Sequence, residues 1–168
     1  MTKLETLFKK YDNIYYKNSD LTEENFPTPK VTQTKNWKII KMTKSFSSQE
    51  ALDEIKKQGC RPANLYELLE WAKDNQEKNQ WVIALGQIWT DAVGNHMVPY
   101  VYRDSDGDFG FSLGIFEDDW SDDYCLLCFC DESTQALSTS ETQPSDSLTL
   151  ESAIKICKEA GLTVTKTY

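Results

Sequence analysis

Helical spacing of hydrophobic residues marks three segments in the first half of the chain. Within each segment, hydrophobic residues recur three and four positions apart, so one face of a helix would be apolar. A residue that commonly caps a helix precedes each segment, and these residues are Thr2, Ser47 and Asn64. The patterns predict helices at 3–16, 48–58 and 64–75, and similar spacing predicts a last helix at 149–160.

The stretch from Trp81 to Asp131 changes to the two-residue period of β-strands. Trp81–Leu85 is hydrophobic at every position, which is typical of a central strand covered on both faces. Asp106-Gly107 is a strong hairpin signal, and one strand is predicted on each side of it. Another strand is predicted at Tyr124–Cys130. A shorter hydrophobic run predicts a strand at Trp37–Met42.

The hairpin around Asp106-Gly107 also has a predicted register. If these two residues form the whole turn, Tyr102 lies opposite Phe111. The large apolar side chains of both strands then share one face of the sheet, so the hydrophobic pattern and the turn agree.

Together these elements predict an α+β fold. We expect a mostly antiparallel sheet of four to six strands, packed on one face by the helices near 48–58, 64–75 and 149–160. Residues 1–36 would form an N-terminal helix and a connector, and this helix would pack outside the others or mediate self-association. Residues 37–168 would form a single domain, with a flexible Ser- and Thr-rich loop near 133–147.

Charge narrows the expected partners. The net charge is −9, and thirteen acidic residues but no Lys or Arg lie between Arg103 and Lys155. Because nucleic acids and anionic membranes are bound through clustered cations, neither is an expected partner. The N-terminus lacks the apolar region of a signal peptide, and no apolar run approaches the roughly 18 residues of a membrane-spanning helix. We therefore expect a cytoplasmic protein.

The five cysteines are expected to be free thiols, because their number is odd and no export signal is present. Cys125 and Cys128 have the spacing of a zinc site, which Cys60 or His96 could complete. In an extended strand, however, Cys125 faces one side while Cys128 and Cys130 face the other. We interpret these cysteines as small buried hydrophobic residues.

Three aspartates resemble the start of a calcium-binding loop, and they are Asp104, Asp106 and Asp108. The EF-hand pattern requires Gly at the sixth position and Glu at the twelfth, where this chain has Phe109 and Ile115. An ordinary hairpin turn explains the same three residues. The alternative is a divalent cation site of another kind, shared with the acidic residues that follow the hairpin.

The segment Glu117–Asp123 places five carboxylates around Trp120. Such a run is usually a solvated loop, but carboxylates around an exposed aromatic are also typical of a docking surface. The candidate binding residues are Glu117, Asp118, Asp119, Trp120, Asp122 and Asp123.

Signals for catalysis are weak, so no catalytic residue is assigned. His96 is the only histidine, and the chain has neither a Gly-x-Ser-x-Gly motif nor a phosphate-binding glycine loop. Arg61 is interpreted as a structural anchor. We therefore favour a non-enzymatic binding or protein-interaction domain that uses the acidic, Trp-bearing loop to bind a protein or a small ligand.

Two alternatives follow from the same acidic residues. The first is a metal-dependent hydrolase that uses the carboxylates of Asp104, Asp106, Glu117 and Asp118. The second is an acidic inhibitor that mimics nucleic acid and occupies the basic site of another protein.

Several short runs resemble a group of small bacterial proteins of uncharacterised function. They are Arg61–Leu69, Ala84–Gly86, Val98–Pro99, Trp120 and Tyr124–Leu127. The strand order with a Trp before the last strand is also similar to C-type-lectin-like and formylglycine-generating-enzyme-like domains. That resemblance implies a binding scaffold, since the catalytic cysteine pair of the enzyme branch has no counterpart here.

Overall fold

Three helices and ten strands make up residues 1–130, the part of the chain that the computed structural model describes. The helices are α1 (Lys3–Phe8), α2 (Ser48–Lys57) and α3 (Leu65–Asn75). The strands are β1 (Ile14–Lys17), β2 (Trp37–Lys41), β3 (Phe46–Ser47), β4 (Cys60–Pro62), β5 (Gln80–Ile83), β6 (Trp89–Thr90), β7 (His96–Arg103), β8 (Phe109–Ile115), β9 (Asp119–Trp120) and β10 (Tyr124–Cys130). The loop predicted at 133–147 and the helix predicted at 149–160 lie outside the described residues.

Eight of the strands form one sheet, in which β1, β8, β7, β5, β10 and β2 are neighbours in that order. Strand β4 pairs with β10, and β6 pairs with β7. The α+β prediction is confirmed, but the sheet has more strands than the predicted four to six. It is also mixed, because β1 runs parallel to β8 and β5 runs parallel to β10. Strands β3 and β9 form a separate antiparallel pair.

Helices cover both faces of the sheet, so the prediction that the helices near 48–58 and 64–75 pack on the same face is wrong. Leu127 of β10 contributes to the core beneath α1 and α3, whereas Leu126 contributes to the core beneath α2. Strands β5 and β10 are hydrophobic at successive positions, and a strand of that kind is stable only when both of its faces are covered. Helix α2 with the β3–β9 pair supplies the second cover.

Local signals located α2 and α3 correctly. The hydroxyl of Ser47 accepts a hydrogen bond from the backbone N–H of Glu50, and the side chain of Asn64 accepts one from Glu67. Each helix therefore begins directly after its predicted cap. The prediction of a central strand is confirmed as well, since β5 lies between β7 and β10.

The N-terminal helix is shorter than predicted. It ends at Phe8, and Ile14–Lys17 is the edge strand β1 rather than a helical turn. Tyr11 continues the helical spacing, but it lies beyond the helix and its buried hydroxyl donates to the carbonyl of Leu69 at 2.6 Å. Helix α1 also does not lie outside the other helices, because residues such as Leu4 are buried in the same core as α3.

The hairpin between β7 and β8 differs from its predicted register by one residue. Val101 lies opposite Phe111, because the turn contains three residues rather than two. The N–H of Asp104 donates to the carbonyl of Asp108 at 3.0 Å, and Gly107 takes the left-handed conformation with φ of 95°. The large side chains of the two strands are consequently divided between both faces of the sheet.

Candidate functional site

The acidic segment Glu117–Asp123 connects β8 to β10 and contains strand β9. Strand β9 pairs with β3, so that Trp120 lies opposite Phe46 and Asp119 lies opposite Ser47. Because Ser47 caps α2, this pairing attaches the acidic segment to the start of a helix. The segment is therefore held at its centre, in contrast to the solvated loop that a run of charges usually forms.

Trp120 is the anchor of this segment. Its side chain is only 6 % exposed, and its Nε1–H donates to the hydroxyl of Ser48 at 2.8 Å. The indole packs edge-on against Tyr100 and Tyr124 and crosses Gly114, where any Cβ would collide with the ring. The expectation of an exposed aromatic is thus wrong, because the two residues of β9 alternate and only Asp119 faces solvent.

The carboxylates of the segment are exposed, and they belong to Glu117, Asp118, Asp119, Asp122 and Asp123. Glu117 pairs with the imidazole Nδ1 of His96 at 2.6 Å, and this hydrogen bond lowers the pKa of the Glu117 carboxyl. Within residues 1–130, the other four have no Lys, Arg or His within salt-bridge distance. Lys41 comes near, but its ammonium donates to the backbone carbonyl of Asp122.

The Asp104–Asp108 turn uses its acidic residues differently. A single carboxylate oxygen of Asp104 accepts the backbone N–H groups of Asp106 and Asp108, each at 3.0 Å. Across the described residues, the carboxylates proposed for a cation or a hydrolase do not gather into a group of three that could hold a metal. The hairpin-turn interpretation therefore accounts for these aspartates.

Three cysteines come together elsewhere, on the β4–β10 pair. Cys60 and Cys130 lie directly opposite each other and form a disulfide, so the expectation of free thiols is wrong for these two residues. Cys128 lies on the same face of β10, whereas Cys125 packs into the core on the other face, as strand alternation predicts. The pair was missed because no strand was predicted at Cys60, which lies in β4.

The structure also has a cleft beside α3 that was not predicted from the sequence. This feature, the Trp37–Trp71 cleft, has a volume of about 210 Å³ and is lined by both indoles, Phe129, Glu70 and Asp74. The two indoles meet edge-on with their centroids 5.6 Å apart. The sequence of α3 did contain a signal for this cleft. Glu67, Glu70 and Asp74 recur three and four positions apart, so they share one face of the helix beside Trp71.

Arg61 lies beside this cleft and has the structural role that the sequence suggested. Its guanidinium donates to both carboxylate oxygens of the buried Glu67, at 2.6 and 2.9 Å. Glu67 also accepts N–H groups from Gln33 and Asn64, so its charge is fully engaged. The nearby Glu70 pairs with Lys10 at 3.0 Å.

No protein-family model, curated protein or solved structure matches this chain. The resemblances suggested by the sequence therefore stay predictions, and function is inferred from the residues themselves. Among residues 1–130, no helix is long and apolar enough to cross a membrane.

Proposed function

We propose that this protein is a non-enzymatic interaction domain that binds a basic partner surface through the acidic segment Glu117–Asp123. One observation carries the proposal: four exposed carboxylates that make no salt bridge within residues 1–130 stand on a backbone that Trp120 holds in place. Fixing the segment before binding reduces the conformational entropy that association would otherwise cost. Trp120 contributes by anchoring the segment rather than by touching the partner.

Charge over the whole chain favours the same partner. The net charge of −9 attracts a cationic surface over distances near the Debye length, about 8 Å at physiological salt. Close charge pairs then determine orientation and specificity. A partner rich in Lys and Arg matches both the long-range field and the local carboxylates.

Binding of a Lys- and Arg-rich peptide, measured by fluorescence anisotropy at several salt concentrations, tests this proposal. The test variant carries Asp118→Asn, Asp119→Asn, Asp122→Asn and Asp123→Asn. The control neutralises four acidic residues elsewhere with Asp12→Asn, Asp20→Asn, Glu24→Gln and Glu77→Gln, and so has the same net charge. We expect the test variant to lose most of the affinity and the control to keep most of it. Equal losses would show that only net charge matters and would overturn the proposal.

A second candidate function is suggested by the Trp37–Trp71 cleft. Two indoles and the carboxylate of Asp74, which has no salt bridge within the described residues, line one small cavity. Aromatic faces and carboxylates both attract an alkylammonium group, so the cleft suits a Lys side chain of a partner. Trp37 is 41 % exposed and is therefore accessible.

A pair of blocked tripeptides separates this second candidate from the first. One peptide contains Lys at its centre, and the other contains norleucine, which has a similar chain without the charge. NMR titration should show binding of the Lys peptide but not of the norleucine peptide. Trp37→Ala should abolish this binding. Tyr15→Ala is the control, because Tyr15 is an exposed aromatic residue on the opposite edge strand, and this change should leave binding intact. Binding of both peptides, or no effect of Trp37→Ala, would exclude this candidate.

A further inference from the structure

Three sulfur atoms meet at the end of the β4–β10 pair. Cys130 lies opposite Cys60, and Cys128, two residues earlier on the same strand, lies opposite Pro62. The sulfur atoms of Cys60, Cys128 and Cys130 all lie within 4.8 Å of one another. The thiol of Cys128 lies outside the disulfide and donates to the carbonyl of Lys38 at 3.5 Å, so it is a third sulfur beside the bonded pair.

We propose that Cys60, Cys128 and Cys130 form a three-thiolate site for a thiophilic divalent ion such as Zn²⁺ in the reduced protein. Zinc–sulfur bonds are about 2.3 Å long, which places the sulfur atoms of a tetrahedral site about 3.8 Å apart. The three sulfurs lie within 4.8 Å of one another, and those of Cys60 and Cys130 are free to move apart to the spacing of a zinc site once the disulfide is open. This set differs from the Cys125-x2-Cys128 pair suggested by spacing, because Cys125 lies on the other face of the sheet.

The surroundings of the site suit a bound ion that stays in place. Cys128 and Cys130 are buried, whereas Cys60 is partly exposed and provides the route for a metal or a reductant. Each thiol must release its proton to bind the ion, so metal binding at this site releases protons. A water molecule on the Cys60 side would complete the four ligands that zinc prefers.

Opening the site is a balanced two-electron reduction. A phosphine attacks one sulfur of the Cys60–Cys130 disulfide and breaks the S–S bond; water then hydrolyses the adduct. The products are two thiols and one phosphine oxide, so the phosphine supplies both electrons. Zn²⁺ then replaces the three thiol protons. In the opposite direction, a small-molecule disulfide takes two electrons from the thiolates of Cys60 and Cys130 and is reduced to two thiols. The Cys60–Cys130 bond reforms, Zn²⁺ is released, and the Cys128 thiolate takes up a proton.

Cobalt binding to the full chain tests the proposal, because thiolate–Co²⁺ bonds give a charge-transfer absorption band. After anaerobic reduction by a phosphine, we expect one Co²⁺ per chain, displaced by Zn²⁺. The oxidised protein should show no band. Cys128→Ser should lose the band, whereas Cys125→Ser, a matched change at a buried cysteine of the same strand, should keep it. Circular dichroism shows whether each variant is folded.

A second measurement needs no variant. Alkylation of the reduced wild-type chain, followed by mass spectrometry, gives the reaction rate of the partly exposed Cys60 with and without Zn²⁺. Zinc should slow this reaction. The proposal is overturned if reduced wild type binds no Co²⁺, if folded Cys128→Ser keeps a full band, or if Zn²⁺ leaves the alkylation rate of Cys60 unchanged.

Discussion

The Asp104–Asp108 turn and the Glu117–Asp123 segment lie at the two ends of strand β8, and both are rich in carboxylates. In the first, a carboxylate oxygen of Asp104 accepts two backbone N–H groups and so helps to close the turn. In the second, a buried indole and a short strand pairing hold the backbone, and the carboxylates stay exposed.

This difference shows that the number of acidic residues in a turn does not reveal whether they can bind a partner. A carboxylate that satisfies the backbone is part of the scaffold, and binding a ligand would require breaking those hydrogen bonds. Carboxylates remain available to bind a partner when another group stabilises the backbone of the loop. Here Trp120 holds the loop.

The largest effect is expected for Trp120→Ala. Removing a buried indole typically costs about 3–5 kcal/mol, and this change also leaves the hydroxyl of Ser48 without its donor. Urea unfolding should show this loss, and amide exchange should increase across β9. Trp120→Phe keeps an aromatic ring and should cost clearly less. A loss below about 1 kcal/mol for Trp120→Ala would mean that the indole does not anchor the segment.

Asp104→Ala should have an intermediate effect. The change removes the acceptor of two backbone N–H groups, and we expect the free energy of unfolding to fall by about 1–2 kcal/mol. Asp106→Ala is the matched control, because its own side chain makes no hydrogen bond within the described residues. It should change stability by less than about 0.5 kcal/mol. Equal effects of the two changes would contradict the assigned role of Asp104.

Neutralising the exposed acids should affect stability little. Asp118→Asn with Asp119→Asn should shift the free energy of unfolding by less than about 0.5 kcal/mol, because neither carboxylate makes a salt bridge within residues 1–130. Urea unfolding measures the shift. A large loss of stability would show that Asp118 and Asp119, like Asp104, are parts of the scaffold. It would remove the contrast between the Asp104–Asp108 turn and the Glu117–Asp123 segment.

The smallest effect concerns the pKa of Glu117. The hydrogen bond from His96 lowers it, so His96→Gln should raise the pKa that NMR titration measures for this carboxyl. A carboxyl with a lowered pKa adds stability above its unfolded pKa, about 4.3, and loses it as pH falls through the folded pKa. The contribution of the Glu117 carboxyl should therefore be lost as pH falls through its folded pKa. An unchanged pKa in His96→Gln would show that the pair does not form in solution.

Predictions from the sequence succeeded where a few neighbouring residues decide the structure. Helices α2 and α3 begin where Ser47 and Asn64 satisfy backbone groups three residues away. The hairpin register failed although its turn was located correctly. A two-residue and a three-residue turn are both compatible with Asp106-Gly107, and the carboxylate of Asp104 stabilises the longer one.

The candidate site likewise contains features that the sequence predicts and features that it does not. Its exposed carboxylates could be named from the sequence, because a dense charged run cannot be buried without partners. The burial of Trp120 could not, since it depends on Ser48, which is 72 residues away in the chain. The three-cysteine cluster likewise depends on a pairing over 70 residues.

The sequence by itself determined the two capped helices, the central strand, the alternation that separates Cys125 from Cys128, and the position of the acidic run. These features follow from periodicity and capping, which act over a few residues. The tertiary structure alone decided that helices cover both faces of the sheet, that Trp120 anchors the acidic segment, and that Cys60 meets Cys128 and Cys130. Contacts of this kind join distant parts of the chain, and many pairings satisfy the same local pattern until the whole core is packed.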